Sequence, residues 1–149
     1  RLLCIRASNM AASDVESFMA RPWVMTSSDG GLVAMDEGVP HPRNYGSFPR
    51  KLALYVRDRG IIDLAAAIRS MTGLPADVMN LKTRGYVREG MVADLVLFDS
   101  ALITDAATYT QPHQLSRGMV QVWINGEAAI QSGQLAERRF GQVLRLGVD

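Results

Sequence analysis

A single change of hydrophobic period, near position 85, constrains this chain most. Before it, apolar residues recur at helical spacing: Ile61, Leu64, Ile68 and Met71 share one face, Ala65 to Ala67 favour helix, and Gly73 with Pro75 stops it. After about Thr83 the pattern becomes that of short strands. Ala93-Asp94-Leu95-Val96-Leu97-Phe98-Asp99 is an apolar run bounded by acids. Val120-Gln121-Val122-Trp123-Ile124 alternates before Asn125-Gly126, a hairpin-turn signal, and Ala128 to Ile130 return. With no internal repeat and no flexible linker, the expectation is an α/β chain whose one boundary lies at Gly85 to Gly90, dividing 1–84 from 85–149.

Within the first part, Ser13-Asp14-Val15-Glu16 has the spacing of a capping box, and Val15, Phe18 and Met19 follow on one helical face until Pro22. Trp23-Val24-Met25-Thr26 reads as a buried strand that delivers Ser27-Ser28-Asp29-Gly30-Gly31 at its C-terminal end, where barrels and open α/β folds place their chemistry. From Glu37 to Pro49 the chain is dense in Gly, Pro, His, Arg and Asn and is expected to be a long irregular loop. Pro75 opens a second short helix through Ala76 to Leu81.

Composition removes several function classes. An apolar content of 48% with 21% charged residues is that of a globular domain with a real core. The formal charge of +1 comes from 16 basic and 15 acidic residues scattered over both halves, which argues against nucleic acid or an anionic membrane as partner. No apolar stretch approaches the roughly 18 to 20 residues that span a bilayer. The single cysteine, Cys4, excludes an internal disulfide, and its apolar surroundings suggest a core position. A reducing, cytoplasmic compartment fits best. The opening Arg1-Leu2-Leu3-Cys4-Ile5 has neither an initiator Met nor the succession of a signal peptide, and it reads as an interior strand.

Three stretches together resemble one family: Ser27-Ser28-Asp29-Gly30 after an apolar run, His41-Pro42-Arg43-Asn44-Tyr45-Gly46-Ser47-Phe48-Pro49-Arg50, and Gly90-Met91-Val92-Ala93-Asp94-Leu95-Val96-Leu97-Phe98-Asp99. From about Asn9 to Leu146 the chain is similar to the C-terminal part of the N-acyl-D-amino-acid deacylases, or D-aminoacylases, of the amidohydrolase superfamily. The last stretch and Asn125-Gly126 occur widely in that superfamily, whereas the His-Pro-Arg to Phe-Pro-Arg stretch is narrower and points to the deacylase branch. The resemblance implies that 1–84 is the end of a metal-dependent hydrolase (β/α)8 barrel whose last strand ends at Asp29. It makes 85–149 the C-terminal part of a small β-sandwich domain.

Site residues follow from the same resemblance, weighed against plainer roles. Asp29-Gly30 taken alone is a turn. In the family context Asp29 is the catalytic carboxylate, able to take a proton from the attacking water and pass it to the leaving nitrogen, and it either ligates the metal or holds the water without touching the ion. Arg43 alone is a solvated loop arginine, but its planar guanidinium suits the carboxylate of an N-acyl amino acid, so it is a substrate-binding candidate. His41 could line the pocket or hold the loop by hydrogen bonds, and no metal-ligand spacing surrounds it. Tyr45, Phe48 and Arg50 are as suited to pinning that stretch as to touching substrate. Asp94 and Asp99 read as turn and strand-end residues, Arg138 and Arg139 as solvated charges, and His113 as a surface loop residue.

The family's zinc is held by upstream cysteine and histidine ligands, and this chain has no His-x-His and no histidine or cysteine positioned beside Asp29. Zinc is therefore expected in the complete enzyme and not in this chain alone, which is expected to be inactive by itself. The complete enzyme would hydrolyse the linear amide of N-acyl-D-amino acids. Two alternatives are a cyclic amidase of the dihydroorotase or hydantoinase kind, and a non-catalytic remnant serving as an assembly or binding module. Apolar faces such as Ile61, Leu64, Ile68 and Met71, and open edges on strands Leu95 to Phe98 and Val120 to Ile124, are expected to meet the upstream part of the enzyme or a second copy.

Overall fold

The computed structural model describes residues 10–145. The Arg1-to-Ile5 run, and with it the expected core position of Cys4, lies outside the described residues. Those described comprise four α-helices, one π-helical stretch and one four-stranded antiparallel sheet, an α/β arrangement in sequence order.

Helix α1 (Ala12–Met19) starts earlier than the Ser13 box predicts. Ala11 is its N-cap, and the carboxylate that reaches back to the Ala11 N–H is that of Asp14, at 3.2 Å. Alanine has no side-chain oxygen to complete the exchange, so only half of a capping box forms. Glu16 instead pairs with Arg59, and Phe18 stays 57% exposed.

The expected strand Trp23 to Thr26 does not form among the described residues, and Trp23 is 69% exposed. A parallel strand is held by ladders along its edges. Here the segment has a backbone bond from the Thr26 N–H to the Ser70 carbonyl at 3.0 Å, and no described strand lies beside it.

The stretch from Glu37 to Pro49 is only half loop. Its second half is α2 (Arg43–Arg50), which runs on as the π-helical stretch Lys51–Asp58. Pro42, with φ −51°, stands at the N-cap already in helical conformation. Pro49 lies inside α2 and removes the N–H that would have bonded the Tyr45 carbonyl. Ser116, from the strand-rich half, donates its hydroxyl to that carbonyl at 2.6 Å. Beyond Pro49 the helix widens, and the Arg59 N–H bonds the Leu54 carbonyl five residues back at 3.0 Å. The prolines that argue for a loop are thus accommodated at a helix start and by a bond from outside the helix.

Asp63 caps α3 (Leu64–Met71) by accepting the Ala66 N–H at 2.7 Å, and α4 (Gly73–Val78) opens two residues before Pro75. The buried side of α3 is Ala67 and Ser70, with Ile68 and Met71 packed beside it, while Leu64 remains 43% exposed. The sheet runs β1 (Leu95–Phe98), β2 (Met119–Ile124), β3 (Glu127–Gln131) and β4 (Gln134–Leu135) in that spatial order. Asn125 and Gly126, with φ of 53° and 81°, make the turn between β2 and β3, pairing Ile124 with Glu127. The expected open edge on Val120 to Ile124 is closed, since β2 is flanked by β1 and β3. β1 is an edge, and its Val96 and Leu97 are half exposed.

The core straddles the change of period. Ala67 of α3, Leu52 of the π-helical stretch and Ile103, which follows β1, are all buried, with Val56, Phe98 and Met119 against them. Arg57 reinforces the junction by donating to the carbonyls of Ala101 and Ile103 at 3.1 and 2.7 Å. Buried Arg84 pairs with Asp94 and reaches the Asn125 side-chain oxygen at 3.2 Å, while Asp94 accepts the Asn125 N–H at 2.8 Å. Asp99 accepts the N–H groups of Ala101 and Leu102. Asp94 therefore serves the turn between β2 and β3, and Asp99 the turn that follows β1.

Candidate active site

The first turn of α2 grips the segment around Asp29. Arg43 Nη2 lies 2.8 Å from Asp29 Oδ2, and the Asn44 side-chain oxygen accepts the Gly31 N–H at 3.3 Å. A Cβ on Gly30 would come within 3.0 Å of the Asn44 backbone, so the two segments meet almost backbone to backbone. Asp29 itself has φ 47°, a left-handed conformation that aspartate tolerates better than most residues. Its side chain is 82% exposed and that of Arg43 is 43% exposed, so both charged groups face outward. A pair this exposed contributes on the order of 0 to 1 kcal/mol to stability, and its interest is positional.

Beside Arg43 lies an open cavity of about 400 Å³. One wall is α2 and its approach, through His41, Arg43, Gly46 and Ser47, and the other is Asp105 to Tyr109. Arg50 closes one end by pairing with Asp105 at 3.0 Å. Gly46 permits the closeness of the walls, because a Cβ there would sit 2.7 Å from that of Asp105. Of the site residues singled out in the sequence, Arg43 and His41 line this cavity, and Asp29 is joined to it through its pair with Arg43. The His41 ring accepts the Arg43 N–H on Nδ1 at 3.1 Å and meets the Tyr109 hydroxyl through Nε2 at 3.0 Å.

His113 corrects the sequence reading. It is half-buried, with Nδ1 accepting from the Tyr45 hydroxyl at 3.1 Å and from the Asp36 N–H at 3.3 Å, and with Nε2 against the Gly38 carbonyl at 3.2 Å. The signal that could have found it is a mirrored spacing: His41-x-x-x-Tyr45 is answered by Tyr109-x-x-x-His113.

Lys51 was also missed. It is 4% exposed, and its ammonium donates to Thr26 Oγ1 at 2.6 Å and to Ser70 Oγ at 2.7 Å, so the lysine ties the segment before Asp29 to α3. Both acceptors are neutral hydroxyls, and burial lowers its pKa below the ordinary lysine value. The unfolded chain then holds more protons than the folded one between the lowered value and the ordinary one. Stability contributed at this position therefore rises with pH across that window. Relative to Lys51→Met, the unaltered chain is expected to gain stability in urea titrations as pH rises toward the ordinary lysine value of 10.5. Parallel pH profiles for the two chains would overturn this.

Among the described residues no group of three or more His, Cys, Asp or Glu side chains comes together. Among them, too, no helix is long and apolar enough to cross a membrane.

The Amidohydrolase family profile matches residues 5–130. The N-acyl-D-aspartate deacylase of Alcaligenes xylosoxydans xylosoxydans is 41% identical over 138 residues, which are 93% of this chain and 27% of that protein. A D-aminoacylase crystal structure superposes with a TM-score of 0.84 at 38% identity, over 90% of this chain and 28% of that one. The N-acyl-D-glutamate deacylase of Bordetella bronchiseptica, solved with zinc and a phosphonate mimic of the tetrahedral intermediate, superposes with a TM-score of 0.83 at 37% identity over 91% and 28%. This chain thus spans little more than a quarter of the length of each.

Proposed function

This chain belongs to the amidohydrolase family, and from that premise we propose that it is the C-terminal segment of a zinc-dependent enzyme that hydrolyses the amide of N-acyl-D-amino acids. The observation that carries the reading is the pairing of Asp29 with Arg43, which itself lines the cavity. It brings a proton-transfer group and a carboxylate-binding group to one place. A linear amide is preferred to a cyclic one because relatives matched over nearly all of this chain are deacylases. Residues 1–84 are assigned to the end of the catalytic barrel and 85–149 to the β-sandwich, with the shared core as their junction. The single cysteine supports a reducing, cytoplasmic setting.

When bound, zinc would supply Lewis acidity at the scissile carbonyl, with Asp29 either ligating it or holding the attacking water without touching the ion. Asp29 Oδ accepts the proton of the attacking water and returns it to the leaving nitrogen as the C–N bond breaks. Arg43 anchors the α-carboxylate. Its guanidinium carries five N–H donors, so one can stay on Asp29 while others meet the substrate.

Arg43→Lys in a full-length enzyme carrying this segment is expected to raise KM for an N-acyl-D-amino acid about 10- to 100-fold, with a smaller effect on kcat, because a point charge loses the bidentate fork. The comparison is with the α-amide of the same substrate, which lacks the charge. Equal penalties on acid and amide would reject Arg43 as the anchor.

A further inference from the structure

We propose that both histidines of this chain, His41 and His113, are positioning residues for Arg43. They act through two crossed His–Tyr contacts that clamp residues 105–116 along α2. The proposal rests on the reading above only in giving Arg43 a substrate to hold.

The contacts form a pair. His41 meets Tyr109 with ring centroids 5.0 Å apart and planes at 78°, and Tyr45 meets His113 at 6.1 Å and 62°. Each joins residues 68 apart in sequence, with the roles exchanged. His41 and Tyr45 are one helical turn apart, as are Tyr109 and His113 in numbering, so the second segment lies alongside the first with histidine facing tyrosine at both rungs.

Hydrogen-bond chemistry fixes the proton on each ring. His41 Nδ1 accepts the N–H of Arg43, the first residue of α2, whose amide has no partner within the helix. The ring proton is therefore on Nε2, directed at the Tyr109 hydroxyl. His113 Nδ1 accepts the Asp36 N–H, and its Nε2–H donates to the Gly38 carbonyl. Both rings are thus Nε2–H tautomers, with Nδ1 held by backbone amides of the Asp29-to-Arg43 stretch.

The consequence for Arg43 is positional. Tyr109 orients the ring that caps the Arg43 amide, and Tyr45 orients the ring that secures the loop joining Asp29 to Arg43. The Arg50–Asp105 pair and the Ser116 bond to the Tyr45 carbonyl hold the same two segments further along. Both rungs connect to the backbone around Arg43.

The test uses the 149-residue chain labelled with 15N-histidine, near pH 8 where ordinary imidazoles are neutral. Long-range 1H–15N spectra are expected to show the Nε2–H tautomer for both rings. An Nδ1–H tautomer, or tautomers averaged as in free imidazole, at either ring would overturn the proposal. Tyr109→Phe keeps the ring packing and removes the hydroxyl, and in a 15N-arginine-labelled sample it is expected to speed solvent exchange of the Arg43 backbone N–H, the amide that His41 accepts, about five- to tenfold, the effect of one lost hydrogen bond. His113→Phe should do the same, and His113→Asn, whose Oδ1 stands near the Nδ1 position, should restore slow exchange. Unchanged exchange in Tyr109→Phe and His113→Phe would also overturn it. Failure of the hydrolase reading would leave these spectra untouched, so the two ideas fail separately.

Discussion

Asp29→Asn, made in a full-length enzyme carrying this segment, is expected to lower turnover about 10²- to 10⁴-fold, the usual cost of removing a general acid or base. Other effects should be small, which makes the variant informative. Asparagine adopts the left-handed φ of 47° at least as readily as aspartate, so the backbone at this turn should persist. The ion pair lost with Arg43 is exposed, and such pairs contribute on the order of 0 to 1 kcal/mol. Arg43 remains available to a substrate carboxylate, so KM for the acid should stay level or fall. The measurements are kcat and KM together with zinc content by elemental analysis. Near-normal turnover with zinc in place would remove Asp29 from the proton-transfer role. Loss of both turnover and zinc would show that Asp29 serves chiefly as a ligand.

The largest expected effect on stability lies away from the site, at Gly118. Its φ of 82° is left-handed, and a Cβ there would stand 2.4 Å from the backbone nitrogen of Ile103 and 2.5 Å from its Cα. Ile103 is 1% exposed and central to the core, and Gly118 also accepts the Asp99 N–H on its carbonyl at 2.9 Å. Neither partner is the loose end of a side chain that could move aside. Gly118→Ala should therefore cost about 1 to 2 kcal/mol for the backbone conformation and about 1 to 3 kcal/mol more for overpacking. Gly133 is the control, since its φ of 76° is similar but an added Cβ meets nothing within 4 Å. Gly133→Ala should show only the first cost. Equal losses in urea titrations of the two variants would mean that the contact with Ile103 relaxes freely.

Much of the second half was legible in advance because its signals are local. Alternation in Val120 to Ile124, followed by Asn125-Gly126, specifies a hairpin through side-chain period and turn geometry alone, and β2 and β3 form there. The second turn, at Ser132 and Gly133, carries the same paired positive φ but leads to a strand of two residues, too short to read as a period. In the first half α3 was visible from its apolar face and its stop at Gly73, yet its cap at Asp63 and its exposed Leu64 depend on what packs against it.

Sequence by itself determined the elements whose stabilisation is contained within a few neighbouring residues, and the family resemblance brought His41 and Arg43 into view through a narrow motif and Asp29 through the stretch Ser27 to Gly30. It could not determine α2. A proline inside a helix costs a hydrogen bond, and whether that bond is replaced depends on Ser116, far along the chain. Nor could it place Trp23 to Thr26, because a parallel strand exists only where neighbours complete its ladders. The roles of His113 and Lys51 were hidden for the same reason. A histidine after a proline and a lysine after an arginine look like solvated polar residues until the fold sets a tyrosine against one and two hydroxyls against the other. Only the tertiary structure removes those groups from water, and desolvation is what makes their partners matter.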